Sequence, residues 1–241
     1  ADHLSRMLVH DHRKILVIDG ETAFVGGMNV GREYLYRSPY DPTTPGGSPD
    51  EPWDKWHDVH ARVRGPAVSD LQRLFVDRWK QLGGDEPGPA VFPPPRMAGE
   101  HSVSVLTAGP EQTNEIGEAF HSTVRSAGRV RLINPFLINV QVLEALMERA
   151  RAGADVQVIV CDDHNDSQLV QACLRGHYPA LIAAGVKVFE LQHHMTHAKV
   201  ALIDDTALIG TYNFNYRSAR VDFEVALWVA DEDFTAEVDR R

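Results

Sequence analysis

The stretch "HRKILVIDGETAFVGGMN" (residues 12–29) sets a histidine and a lysine two apart at the head of an apolar run that ends on an aspartate. "HAKVALIDDTALIGTYN" (residues 197–213) repeats the order His-x-Lys, four residues, Asp, and then a Gly-containing turn closing on Asn. The two differ by one residue in the turn. Each reads as a β-hairpin, with turns at Gly20-Glu21 and Asp205-Thr206. Downstream, "WHDVHARVRGPAVSDLQRLFVDRW" and "DFEVALWVADEDFTAEVDRR" share a pattern: a strand with an acid at its start, followed by a helix. A repeat of this kind predicts two similar lobes facing each other.

Between the motifs, strands at 103–107, 129–133, 156–160 and 186–190 alternate with helices at 113–127, 139–152 and near 166–184. Val142, Leu143, Leu146, Met147 and Ala150 share one face of the second helix. The alternation predicts an α/β fold of mixed sheets flanked by helices. The Pro/Gly-rich residues 83–100 read as a linker, dividing the chain into a first lobe at 1–82 and a second at 101–241, and 38–52 read as a surface loop. About a hundred residues of α/β pattern precede the second motif and eleven precede the first. The expectation is that the first lobe is truncated at its N-terminus.

With 241 residues and 43% apolar content the chain is long enough to bury a substantial core. Cys161 and Cys173 suggest neither a disulfide framework nor a metal site and fit a reducing compartment. A formal charge of −10 counts against broad attraction to nucleic acid or anionic lipid and leaves room for a local positive pocket. No apolar run reaches the ~18 residues a membrane span needs, so this piece is expected to be soluble.

In a strand, residues two apart project to one side, so His12 and Lys14 are expected to point together, as are His197 and Lys199. Asp19 and Asp204, at odd spacing, are expected on the opposite face in a structural, charge-pairing role. Asn29 and Asn213 close the hairpins and are placed to return amide donors to the phosphate side. Two histidines, two lysines and two asparagines converging on one point suit a phosphodiester: Lys and Asn bind its oxygens, while one His attacks phosphorus and the other protonates the leaving oxygen. Attack needs a neutral imidazole and donation a protonated one, so their pKa values must be pushed apart. Asp58 and Glu224 occupy matching places in the repeat and are the candidates to orient the histidines.

Other signals read more simply. His193 and His197 in "HHMTH" have a metal spacing that serves a helix, whereas this segment leads into a strand with no carboxylate or Cys cluster near, and no metal or other cofactor is expected. His57 and His60 read as strand decoration. Trp53 and Trp56 read as core aromatics, with a lipid entrance as the alternative.

The duplicated His-x-Lys-x4-Asp motif, with "GGMN" and "GTYN" after its two copies, resembles the phospholipase D superfamily. Within it, "HRKILVIDG", "AFVGGMNVGREYL" and "YRS" are most similar to bacterial cardiolipin synthases. The fit is looser at 32–55 and 134–141. The resemblance implies two α/β lobes with a metal-free active site between them, and it counts His12, Lys14, Asp19, His197, Lys199 and Asp204 together as the catalytic motifs. It implies His12 as the nucleophile forming a phosphohistidine and His197 as the general acid. It places Tyr178 and Arg217 where pocket residues often lie. The activity implied is transfer of a phosphatidyl group between two phosphatidylglycerol molecules. Phospholipid hydrolysis is the alternative and nucleic acid cleavage a more remote one. It also implies a bacterial membrane surface as partner, reached through a longer parent protein.

Overall fold

The computed structural model describes residues 9–34, 56–110 and 112–240. The expected loop at 38–52 and Trp53 lie outside them. Three strands, β1 (Ile15–Ile18), β2 (Thr22–Gly26) and β3 (His60–Arg64), form an antiparallel sheet in that order, followed by helix α1 (Ala67–Gln81). The seven-stranded sheet has the order β4-β10-β9-β8-β5-β6-β7. Its strands are β4 (Val103–Ala108), β5 (Arg129–Ile133), β6 (Asp155–Cys161), β7 (Lys187–Leu191), β8 (Val200–Ile203), β9 (Thr206–Gly210) and β10 (Glu224–Ala230). β5, β6 and β7 pair in parallel, and the other neighbours are antiparallel.

The parallel strands are joined by α3 (Val140–Arg151) and α4 (Gln168–Ala183), as parallel connections require. α2 (Glu115–Val124) links β4 to β5, and α5 (Tyr216–Arg220) and α6 (Glu232–Arg240) flank β10. Asn114 and Asn139 start α2 and α3 by accepting backbone N–H bonds from Gly117 and from Gln141 and Val142. The apolar face read from the sequence at Val142, Leu143 and Leu146 is buried, with Met147 and Ala150 packed beside it. Cys161 is buried and Cys173 exposed, both as free thiols.

The large sheet is covered on both sides, which explains the unbroken apolar run of β8. Ala201 and Ile203 face α2, α3 and α4 with Phe120, Leu143 and Leu174. Val200 and Leu202 face the opposite way, beside Val59, Ala61 and the α6 residues Phe234 and Val238. The small sheet packs on that second side, where Ala23, Val25, Val63 and Leu71 share a core with Val225 and Leu227 of β10.

β1-β2-β3-α1 thus repeats the order and pairing of β8-β9-β10-α6. Leu16 and Ile18 of β1 are 55% and 46% exposed, whereas Ala201 and Ile203 at matching places in β8 are 1% exposed under their helices. Among the described residues, no helix is long and apolar enough to cross a membrane.

Candidate active site

The two His-x-Lys pairs lie just outside the strands on which the sequence placed them. Residues 12–14 and 197–199 are extended lead-ins, one step before β1 and β8. The reason is a change of partner. Asp11 makes a parallel bridge to Phe223, with His12 N–H donating to Phe223 O at 3.0 Å and Phe223 N–H to His10 O at 2.9 Å. His57 makes a parallel bridge to Thr196, with His57 N–H donating to Met195 O at 2.8 Å and His197 N–H to His57 O at 2.7 Å. Each bridge joins the lead-in of one repeat to the lead-in of the other.

In each parallel pair, the residue after the bridge lands beside its counterpart. His12 therefore meets Glu224, its Nδ1 lying 3.0 Å from both carboxylate oxygens. His197 meets Asp58, Nδ1 to Oδ2 at 3.0 Å. The acids are exchanged: each histidine is held by the carboxylate of the other repeat. Both carboxylates are out of solvent, with side-chain exposures of 0% for Glu224 and 1% for Asp58, while His12 at 25% is more accessible than His197 at 6%.

The two acids are supported differently. Glu224 accepts hydrogen bonds from the hydroxyls of Thr211 and Ser218 as well as facing His12. Asp58 accepts from the Val59 N–H at 2.7 Å. Gly27, the counterpart of Thr211, lies so close that a Cβ there would fall 2.3 Å from Asp58 Oδ1 and 2.7 Å from His197 O. A side chain at 27 would occupy the carboxylate's place. Burial pushes the Asp58 carboxyl up to about 6, against the pull of the Lys199 charge.

The lysines lie within electrostatic reach of both acids. Each ammonium donates to the carbonyl of the histidine two residues before it, Lys14 at 2.7 Å and Lys199 at 2.5 Å. Burial lowers Lys199 to about 7, opposed by the charge of Asp58 and reinforced by that of Lys14. Burial likewise lowers Lys14 to about 8, opposed by Glu224 and Asp58. His197 is pushed well below the usual imidazole range by burial first, and then by Lys199, Lys14 and His12. Burial and the neighbouring lysine charges together disfavour the imidazolium of His197.

Other residues fall elsewhere. Asp204 sits at the far end of β8, five residues from Lys199 or about 16 Å along an extended chain. Its carboxylate accepts the backbone N–H groups of Gly128 and Arg129. Asp19 holds the matching turn, and the two have φ values of 55° and 48°. Both are turn residues of the motif, away from the two histidine–acid pairs, because a strand separates them from the histidines; the Asp204 carboxylate pairs with backbone amides, where charge pairing was expected. Asn213 is buried, and its Oδ1 has no hydrogen-bond partner among the described residues. Asn29 is exposed and its Nδ2 lies 3.4 Å from Tyr34 Oη.

Arg217 pairs with Asp222 at 2.6 Å, and Asp222 also accepts the His10 N–H, so this pair braces the first bridge. Tyr178 donates to Glu190 at 2.9 Å, in a network with Arg175 on α4. His193 donates its backbone N–H to Asp162.

Tyr34 is an addition that the motif reading lacked, and Trp56, read from the sequence as a core aromatic, stands half-buried against His197. The Tyr34 hydroxyl lies 3.0 Å from His197 Nδ1, and the Trp56 ring centroid lies 5.1 Å from that of His197. A signal for Tyr34 existed: it stands five residues after Asn29, as Ser218 stands five after Asn213.

Residues 121–241 match the family model described as cardiolipin synthase, PLD-like domain. Cardiolipin synthase A of Pseudomonas aeruginosa is 36% identical over 233 residues, covering 95% of this chain and 45% of that protein. A probable cardiolipin synthase of Bacillus subtilis, YwiE, is 31% identical over 228 residues, covering 92% and 43%. The chain therefore spans less than half the length of these curated relatives. Among solved structures, phosphatidylserine synthase of Haemophilus influenzae shares the fold at a TM-score of 0.68 and 16% identity, over 98% of this chain and 62% of that one.

Proposed function

Because the chain belongs to the cardiolipin synthase, phospholipase D-like family, we propose that it carries the active site of a phosphatidyltransferase that joins two phosphatidylglycerol molecules. The observation that carries this reading is the crossed arrangement of His12–Glu224 and His197–Asp58 around Lys14 and Lys199. Residues 1–82 and 101–241 then act as two phospholipase D-like units joined by 83–100, with each unit supplying one histidine and the other's acid.

Glu224 accepts the Nδ1 hydrogen of His12 and so leaves the Nε2 lone pair free to attack phosphorus. The bond from phosphorus to the glycerol headgroup breaks, and His197 gives a proton to the departing oxygen. Lys14, Lys199 and Asn213 hold the non-bridging oxygens as their charge grows. The phosphatidyl group now rests on His12. The terminal hydroxyl of a second phosphatidylglycerol attacks it while His197 takes the hydroxyl proton, giving cardiolipin and regenerating His12.

The test is product analysis with phosphatidylglycerol vesicles and the protein, without added metal. Cardiolipin plus glycerol, lost in His12→Ala and His197→Ala, is the expected result. Phosphatidic acid alone would assign hydrolysis instead. Phosphate trapped on a residue other than His12 in the His197→Ala variant would overturn the assignment of the nucleophile.

A further inference from the structure

The repeat matches Trp56 with Asp222, each two residues before its acid, and Tyr34 with Ser218. Backbone bonds confirm the match. Trp56 N–H donates to Glu33 O at 3.0 Å, and Asp222 N–H donates to Arg217 O at 2.9 Å, so in each repeat the residue before the acid's neighbour is tied to the residue before Tyr34 or Ser218.

The side chains at these matching places are opposite in kind. On the His12 side they are polar: Ser218 donates to Glu224 at 2.5 Å, and Asp222 pairs with Arg217 at 2.6 Å. On the His197 side they are aromatic. The Trp56 ring centroid lies 5.1 Å from that of His197 and the Tyr34 centroid 6.2 Å from it, and the two aromatic rings meet edge to face at 5.7 Å. Exposure follows the same division, with His12 more open to solvent than His197.

We infer that Trp56, backed by Tyr34, selects the acceptor that takes the phosphatidyl group from His12, favouring an alcohol over water. This inference rests on the proposed phosphohistidine route. Asp58 and Tyr34 occupy the Nδ1 side of His197, so the acceptor oxygen comes to Nε2, and the indole packed on the same ring flanks its place. The carbon atoms of an alcohol gain apolar contact against an indole, whereas a water molecule there loses hydrogen bonds without replacing them.

The chemistry balances with either acceptor. The acceptor oxygen bonds to phosphorus, the bond from phosphorus to His12 Nε2 breaks, and the acceptor's proton passes to His197 Nε2. Both acceptors need the same base and the same leaving imidazole, so the surroundings of His197 Nε2 choose between them.

The experiment measures how products partition. With phosphatidylglycerol vesicles the ratio of cardiolipin to phosphatidic acid is read. With bis(p-nitrophenyl) phosphate in water containing glycerol, the ratio of the glycerol diester to p-nitrophenyl phosphate gives the same information without a lipid. Each ratio is set after His12 is loaded, so neither the amount of folded protein nor the rate of the first step moves it. Trp56→Ala is expected to lower both ratios about tenfold, the scale on which a pocket discriminates through one apolar contact. Trp56→Gln, which retains more bulk, is expected to shift them in the same direction, and Trp56→Phe to keep them near the parent values. Ratios unchanged in Trp56→Ala, or a parent protein that gives only the hydrolysis product from both substrates, would overturn the inference. Transfer to glycerol from the aryl diester without reaction of phosphatidylglycerol would sink the lipid assignment and leave the role of Trp56 standing. Turnover of neither substrate would overturn both.

Discussion

His12 Nδ1 lies 3.0 Å from both oxygens of Glu224, a residue 212 positions further along the chain. Glu224 is fully buried, and its charge is matched by Thr211, Ser218 and His12 rather than by water. Glu224→Gln keeps the volume but turns an amide of mixed polarity towards His12, which no longer fixes Nδ1–H. Turnover is expected to fall about 10²- to 10⁴-fold, as when the acid behind a catalytic histidine is neutralised. Adding Glu224→Gln to His12→Ala is expected to cost almost nothing more, because the two act as one unit. Independent, multiplying losses in that double variant would sink the pairing as a functional one.

Gly27 governs the other pair. The Cβ of Gly27→Ala would fall 2.3 Å from one Asp58 oxygen and 2.7 Å from the other. Relief requires the carboxylate to move away from His197. Activity is expected to fall at least as far as in Asp58→Asn, about tenfold or more, with circular dichroism unchanged. Full activity in Gly27→Ala would show that Asp58 need not touch His197.

The two lysines predict a pH signature. Their pKa values in the folded chain, about 7 for Lys199 and about 8 for Lys14, lie below the ordinary 10.5. Between those values the unfolded chain binds more protons, so the lysines' contribution to stability rises with pH from about 7 to about 10.5. A bound anion reverses the preference by favouring the charged ammonium. Thermal stabilisation by inorganic phosphate is therefore expected to be large at pH 6 and to shrink by pH 9, and Lys199→Met is expected to flatten that dependence. Equal stabilisation by phosphate at both pH values would contradict it.

Asp204 separates motif membership from chemistry. Its carboxylate holds the Gly128 and Arg129 amides at 3.0 and 2.8 Å, at the end of β8 remote from the lysine. Asp204→Ala is expected to lower unfolding stability by about 0.5–1.5 kcal/mol, the net worth of a hydrogen bond whose donors can turn to water. It also loses a residue type that tolerates a φ of 48°. Turnover per folded molecule, measured well below the melting temperature, is expected to stay within about twofold of the parent, and a hundredfold loss there would return Asp204 to the reacting cluster.

The hairpins, the alternating strands and helices and the identities of both histidines and both lysines were legible in the sequence, because period-two patterning and turn residues are local signals. β5 even matches its expected range, 129–133. Parity misplaced the His-x-Lys pairs by one element boundary: residues 12–14 and 197–199 are extended but leave the hairpin ladder to bridge Phe223 and His57. The repeat showed that Asp58 and Glu224 occupy matching places but carried no instruction about which histidine each would meet.

That choice belongs to the tertiary structure. Each acid meets the other repeat's histidine because single parallel bridges set His12 beside Glu224 and Asp58 beside His197, contacts spanning 212 and 139 residues. The local sequence determines which groups enter the site and on which turn or strand they travel. Burial then decides their chemistry: at a position where the repeat offers the same hydroxyl, Ser218 steadies an acid and Tyr34 faces a ring, because packing brings a different atom within 3 Å of each.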